Sequence, residues 1–348
     1  MNVTQFYRSL LFIWSVFFFF SCKHDTYDCT DRPVGNYSKG IFVVNEGGFN
    51  QSGTISWHDP VSGETVADVY GQANCDAQLG QFVQSLTFHN GKGYICVNGA
   101  NKVIIVYAGT FQFLDSIPGL QLPRYFLALD QNFALISQWG ADGLTGSVAR
   151  VDLRTNTIVK TIPTGKGPDK MLRRPDNRLL VANSGGYGVD STVSVINLNT
   201  DLEETRIILP GKNPSSLAVA NFNGAPHYYV LCKGSYLDAD PVGWIGSIDD
   251  LNGFDTGAYG EDLSATGSGD RLYWSEGGAI IRWDAGGITF FATQAAYGLS
   301  VQNSTGQVYC ADARDFSSKG AVVVYDAAGQ KGDSFEVGVA PGEIVIVE

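Results

Sequence analysis

The side chains best placed to do chemistry in this sequence are flat ones, spaced along glycine-rich loops. Phe49, Trp139, Tyr187, Tyr236, Trp244 and Phe316 each fall in a long polar loop between two apolar runs. Arg124, Tyr125, Asp169, Tyr259 and Tyr297 sit where one group of apolar runs gives way to the next, beside Lys170. Aromatic faces interspersed with amides and a few charges suit a broad, partly polar ligand that is held without being altered. Each ring alone could equally stiffen its own loop, so it is the set that points to a binding face. Other chemistry is poorly provided for. His24, His58, His89 and His227 are scattered, with no His/Cys/Asp spacing of a metal site. The glycine-rich loops follow strands without opening helices, so they are not phosphate cradles, and no nucleophile motif is present. Asp238 and Asp240 alone are too few oxygen donors for calcium. Asp59, Asp152, Asn197, Asp249, Asp284 and Asp326 recur at one position, the end of a third strand, where a side chain that accepts turn N–H groups is expected.

The elements that must position these residues repeat. From Gly165 to Leu198 the chain reads as a strand, a Pro-Asp-Asn turn, a second strand over Leu179 to Asn183, a glycine-rich loop, and a third strand carrying Val193, Val195 and Leu198. A fourth strand, Glu204 to Leu209, ends the unit. Residues in the Pro168 position are Val83, Pro123, Pro168, Pro214, Gly260, Ala296 and Pro341, spaced roughly 36–46 residues apart. An apolar residue follows each by three: Leu86, Phe126, Met171, Leu217, Leu263, Leu299 and Ile344. Seven openings with four strands each imply an all-β, seven-bladed β-propeller. The first unit has only three strands (IFVVNE, TISWH, ETVADV), while Gly342 to Val347 is a lone strand at the end. The C-terminal strand is therefore expected to complete the first blade, which removes the exposed edges of an open array.

In such blades the second-to-third-strand loops share a face with the connections between blades. Those loops are long in blades one, three, four, five and seven, and short in two (NGAN) and six (SEGG). Long loops on a rigid scaffold are where binding residues gather. Cys96 and Cys310 align with Val181, and Cys232 with Ala182, which reads as core packing in separate blades. Cys29 and Cys75 lie outside the strands, where they could pair in an oxidising compartment.

The net charge of −12, without basic runs, argues against nucleic acid or an anionic membrane surface as partner. Residues 1–22 have the form of a targeting segment: Arg8, then an apolar run from Leu10 to Phe20, then Ser21 and Cys22. This resembles a bacterial lipoprotein signal with Cys22 as the lipidated residue, although Phe19 stands where Leu is usual. An ordinary secretory peptide or a membrane anchor is the alternative. Residues 23–39 then form a polar tether in which Asp25 resembles a surface-export signal, and residues 40–348 form the propeller.

GKGPDKM, LLVANSGGYGVDSTVSVINL and AYGLSVQNSTGQVYCADARDFSSKGAVVVYDAAGQ, followed by VGVAPGEIVI, resemble the YncE-like surface-layer propellers of Bacteroidetes. Within that group they are most similar to the surface lipoproteins that capture vitamin B12 beside a TonB-dependent transporter. The likeness runs from Gly40 to Val347, with GSYLDADPVGW and SEGG departing most. It implies a monomeric, lipid-anchored outer-membrane protein, exposed at the cell surface, that binds cobalamin or a related corrinoid as ligand. The protein would use no cofactor and no metal of its own. Aromatic loop residues would lie against the corrin while Asn183, Gln138 and Arg124 hydrogen-bond its rim. Two other classes remain: an adhesive propeller for glycan or a transporter partner, and a propeller enzyme. The second is disfavoured because the inner strands offer no convergent histidine, tyrosine or metal cluster.

Overall fold

The computed structural model describes residues 35–222 and 225–348, in which seven four-stranded antiparallel sheets stand in a ring. The innermost strands of blades two to six begin at Val83, Pro123, Pro168, Pro214 and Gly260. In blade seven the strand runs Gly298–Val301, two residues beyond the expected Ala296. Proline suits the first strand position because it has no N–H to contribute to the ladder. Ring closure is as expected: Pro341–Val347 pairs antiparallel with Gly40–Asn45 to complete blade one.

At five of the seven openings the preceding residue sets the geometry of the upper face. Phe82, Leu122, Gly167, Asn213 and Ala340 all have left-handed φ values, between 52° and 58°. That conformation reverses the chain between blades and turns each carbonyl toward the loop of its own blade. Asn98, Trp139, Ser184, Lys233 and Glu46 donate their N–H groups to these five carbonyls at 2.7–3.1 Å. The connections between blades and the second-to-third loops are thus tied together on one face.

Between blades the core is aliphatic and aromatic, with Phe42 stacked on Phe111 at 5.4 Å and Tyr94 on Phe126 at 4.2 Å. Cys96, Cys232 and Cys310 are buried free thiols. Their register is partly other than expected: Cys310 faces Leu299 as Val181 faces Met171, but Cys96 faces Ser85 and Cys232 faces Pro214, each one place further along. Differing lengths of the first hairpin account for the offset: Leu86 faces Ile95, Met171 faces Val181 and Leu217 faces Val230, so the second strand returns after a different number of residues in each blade.

The outermost, fourth strand of blade one is only Thr65–Val66, where a strand to Val69 is expected. Asp68 instead caps a short helix, Val69–Ala73, by accepting the Gly71 N–H. Tyr37, within the expected tether, is buried edge-on against Trp57 and Phe111, and its N–H bonds Gly109. Ordered packing therefore begins before Gly40. Cys75 is disulfide-bonded; Cys29, the leader and Cys22 lie outside the described residues. No helix among the described residues is long and apolar enough to cross a membrane.

Candidate functional site

Five inner strands shift register just after they open, between Val83 and Ser85, Pro123 and Phe126, Pro168 and Met171, Pro214 and Ser216, and Gly260 and Leu263. A bulge frees an N–H from the ladder and re-aims the side chains beside it. Here it turns Gln84, Arg124, Asp169, Ser215 and Glu261 to the mouth of the central channel, around a cavity of about 40 Å³. Glu46 and Lys233 reach the same cavity from the loops.

This mouth is a network of charges held in pairs. Arg124 Nε donates to Asp169 Oδ1 at 2.7 Å, and Lys170 Nζ to Asp262 Oδ1 at 2.6 Å. Lys233 lies 3.6 Å from Glu261. Asp262 also accepts from Ser216 Oγ at 2.6 Å and from the Leu299 N–H of the next blade at 3.0 Å. Burial alone would raise its pKa, but Lys170 and these donors hold it below the ordinary value. Glu343, at the matching place in blade one, accepts the Leu86 N–H of blade two at 2.8 Å. Burial pushes its carboxyl up to about 7. Tyr297 Oη donates to Glu46 Oε1 at 3.1 Å. Glu46's charge, then burial, drive the Tyr297 phenol well up, and burial raises Glu46.

Above the mouth, the rim is uneven. Blade six contributes only Gly277 and Gly278 between its second and third strands, Arg271–Glu276 and Ala279–Asp284. Long loops from blades five and seven flank it and leave a cleft of about 410 Å³. Tyr236 and Tyr259, stacked at 4.0 Å, form part of its lining; Tyr297 and Phe316, edge to face at 5.0 Å, form another. Glu261, Glu276, Asp312 and Arg314 supply polar groups. Burial pushes the Tyr259 phenol up to about 12, with Glu261 adding to the effect. A second cleft of about 550 Å³ lies between blades seven, one and two, lined by Phe49, Phe82, Phe316 and the 46–51 loop.

Of the aromatics expected to bind, Tyr236, Tyr259, Tyr297 and Phe316 therefore share one cleft, and Phe49 stands in its neighbour. The others are placed differently. Trp244 begins a strand rather than standing in a loop, and is buried with Leu209, Cys232 and Ile248. Asn183 is fully buried and its Nδ2 donates to Thr192 and Ser194 within its own blade. Gln138 is likewise turned inward, donating to Ser147 and accepting from the Gln121 N–H. Both amides clamp the start of a third strand and have no path to a ligand's rim. Trp139 and Tyr187 meet edge to face at 5.7 Å over blades three and four, and neither lines either cleft. The indole N–H of Trp139 is spent on Asp169, and Arg124 covers its ring at 4.2 Å. Arg124 and Tyr125 belong to the channel mouth.

The recurring turn acids behave as expected at Asp59, Asp152, Asn197, Asp284 and Asp326, which accept backbone N–H groups two residues on. Asp249 instead binds Arg174. Asp238 is occupied by Lys212 at 2.7 Å. Among the described residues no group of three or more His, Cys, Asp and Glu side chains is placed to hold a metal. Residues that the loop-based reading passes over are Glu46, Lys233, Glu261, Asp262 and Glu343. A polar pair directly after the repeat opening, Glu261-Asp262, is the signal that marks two of them.

A family model described as a domain of unknown function, DUF5074, matches residues 39–217. The chain belongs to this family. No curated protein matches it. Among solved structures, this DUF5074 chain is similar to a quinonprotein alcohol dehydrogenase-like protein of Bacteroides thetaiotaomicron, with TM-score 0.65 and 18% identity over 89% of this chain and 79% of the other. A functionally unknown protein of Desulfotomaculum acetoxidans gives TM-score 0.65 and 13% identity over 89% and 99% of the two chains. The dihydro-heme d1 dehydrogenase NirN, in complex with DHE, gives 0.57 and 14% over 91% and 77%. At these identities the likeness is one of fold, that of a β-propeller.

Proposed function

We propose that this DUF5074 propeller is a non-catalytic binding protein whose ligand enters the rim where blade six is low. The finer reading is capture of a corrinoid by a protein anchored through Cys22 to the outer membrane, and its transfer to a TonB-dependent transporter. The observation that carries the binding role is the 410 Å³ cleft with Tyr236, Tyr259, Tyr297 and Phe316 around it. A cleft of this size, aromatic with a few polar groups, is the usual form of a small-molecule site. The rings are already held by one another, so little ordering cost opposes binding. The charges of the channel mouth are engaged in mutual pairs, which suits a rigid base better than a reacting centre. The resemblance of the repeat sequences to cobalamin-capturing propellers supports the corrinoid.

The test is direct. The mature protein is mixed with cyanocobalamin, passed through a desalting column, and its visible spectrum recorded. One equivalent of corrinoid retained supports the reading. Colourless protein refutes corrinoid capture, and retention on a glycan array would then move the assignment to an adhesive propeller.

A further inference from the structure

The two rim clefts share one residue, Phe316. Its backbone is left-handed at φ 58°, a conformation that a bulky side chain adopts only when its surroundings enforce it. The enforcement is visible. The Phe316 N–H donates to Ala313 O at 2.9 Å, and Asp315 Oδ1 accepts the N–H groups of Ser317 and Ser318 at 3.0 and 2.7 Å. The ring is half exposed, braced on one side by Tyr297, and so stands as a divider between the clefts.

The two sides differ in kind. The smaller cleft has the stacked Tyr236–Tyr259 pair and the acids Glu261 and Glu276, a slot for one flat, hydrogen-bonding ring. The larger is floored by Phe49 and Phe82, edge to face at 5.5 Å, beside the amides of Asn50 and Gln51 and the backbone of Gly47 and Gly48. Its loop is pinned by a hydrogen bond from Gln81 Nε2 to Phe49 O. That surface suits a wide apolar face with an amide-rich edge.

We infer that the clefts are two halves of one site, with Phe316 as the wedge between them, and that the ligand carries two separate ring systems. The smaller ring enters the tyrosine slot and the larger lies on Phe49 and Phe82. This rests on the corrinoid reading above, in which the larger ring is the macrocycle and the smaller its nucleotide base.

Binding of cyanocobalamin and of dicyanocobinamide, which keeps the macrocycle and lacks the base, is measured by titration calorimetry for wild type and variants, with thermal melts to confirm folding. Wild type is expected to prefer cyanocobalamin at least tenfold. Tyr236→Ala should weaken cyanocobalamin about tenfold and dicyanocobinamide less than twofold, whereas Phe49→Ala should weaken both about equally. Phe316→Ala should remove most of the preference, and Phe316→Tyr, which restores the wedge, should recover it. Equal wild-type affinity for the two compounds, or a Tyr236→Ala loss shared equally between them, overturns the divided site while leaving capture intact. A wild-type protein that binds neither overturns the corrinoid reading and this inference with it.

Discussion

The rim of this propeller has a closed side and an open side, and loop length alone does not decide which is which. Over blades three and four, the loops interlock. Tyr187 N–H bonds Gly143 O at 3.0 Å, Trp139 lies edge-on to Tyr187, and Arg124 covers Trp139. Over blades five to seven a cleft remains because the two-residue Gly277–Gly278 loop stands between taller neighbours, and a second opens between blades seven, one and two. A cavity on such a rim is produced by contrast between adjacent loops, not by the length of any one. The base compensates. Where the loops above leave gaps, buried carboxylates tie blade to blade below: Asp262 to Leu299 N–H, and Glu343 to Leu86 N–H.

The closed side is the one that tolerates added bulk least. Gly186 has φ 58°, and a Cβ there would run into the Gly143 carbonyl oxygen. Gly186→Val is therefore expected to destabilise by about 3 kcal/mol, from left-handed strain together with overpacking. The urea midpoint measures it. Ligand affinity of the fraction still folded should match wild type, since the closed side lines neither cleft; a stability change under about 1 kcal/mol would mean that the interlock is slack.

The ties beneath the open side make a prediction about pH. The Glu343 carboxyl has its pKa raised from about 4.5 to about 7 on folding, mainly by burial, with the Leu86 N–H and Lys170 opposing. Between those values the folded chain keeps a proton that the unfolded chain has released. This group's contribution is therefore fully present below about pH 4.5 and is lost as pH rises toward 7, by about 3 kcal/mol at most. Glu343→Gln still offers an oxygen to Leu86 and carries no charge. It should flatten the decline in stability between pH 5 and 7 and leave the variant about 2 kcal/mol more stable than wild type at pH 8. An unchanged pH profile would show that the buried carboxylate is not the titrating tie.

How much of this could be read from residues alone follows from what alternation and spacing can carry. The repeat of opening residues from Val83 to Pro341 specifies seven blades, and the three-strand first unit specifies the closure, because both depend on local patterns of strand and turn. The face on which the long loops and the blade connections meet is legible for the same reason. Individual roles are less so. Asn183 and Gln138 look like exposed amides at strand ends, yet each turns inward to a serine or threonine that opens the third strand; Asn45 does the same with Thr54 and Ser56. Trp244 looks like a loop residue because nothing in GSYLDADPVGW marks where the strand resumes. The charged mouth is hidden because bulges break the period of two at the very residues that supply it. Blade six's SEGG reads as a missing loop, and only the ring arrangement turns that shortness into a cleft.

A variant that fills the cleft sharpens the contrast from the open side. Ala295 is exposed and lines the 410 Å³ cleft. Ala295→Trp adds bulk there without disturbing a buried contact, so retention of cyanocobalamin should fall at least tenfold, equivalent to about 1.4 kcal/mol, while the melting temperature stays unchanged. Full retention would place the ligand elsewhere on the rim.

The smallest effect is the one that loop length alone would make large. Tyr187 is prominent, aromatic and 69% exposed, in one of the long loops, and by those criteria it is a contact residue. Its ring, however, lies over Gly143 and meets the edge of Trp139, and it borders neither cleft. An edge-on aromatic contact at the surface contributes at most about 0.5–1 kcal/mol. Tyr187→Ala should therefore lower stability by about that amount and change corrinoid affinity less than twofold, measured side by side with Ala295→Trp. A tenfold loss of affinity in Tyr187→Ala, with Ala295→Trp unaffected, would reverse the assignment of the two sides, and the interlocked loops would then have to open for the ligand to enter.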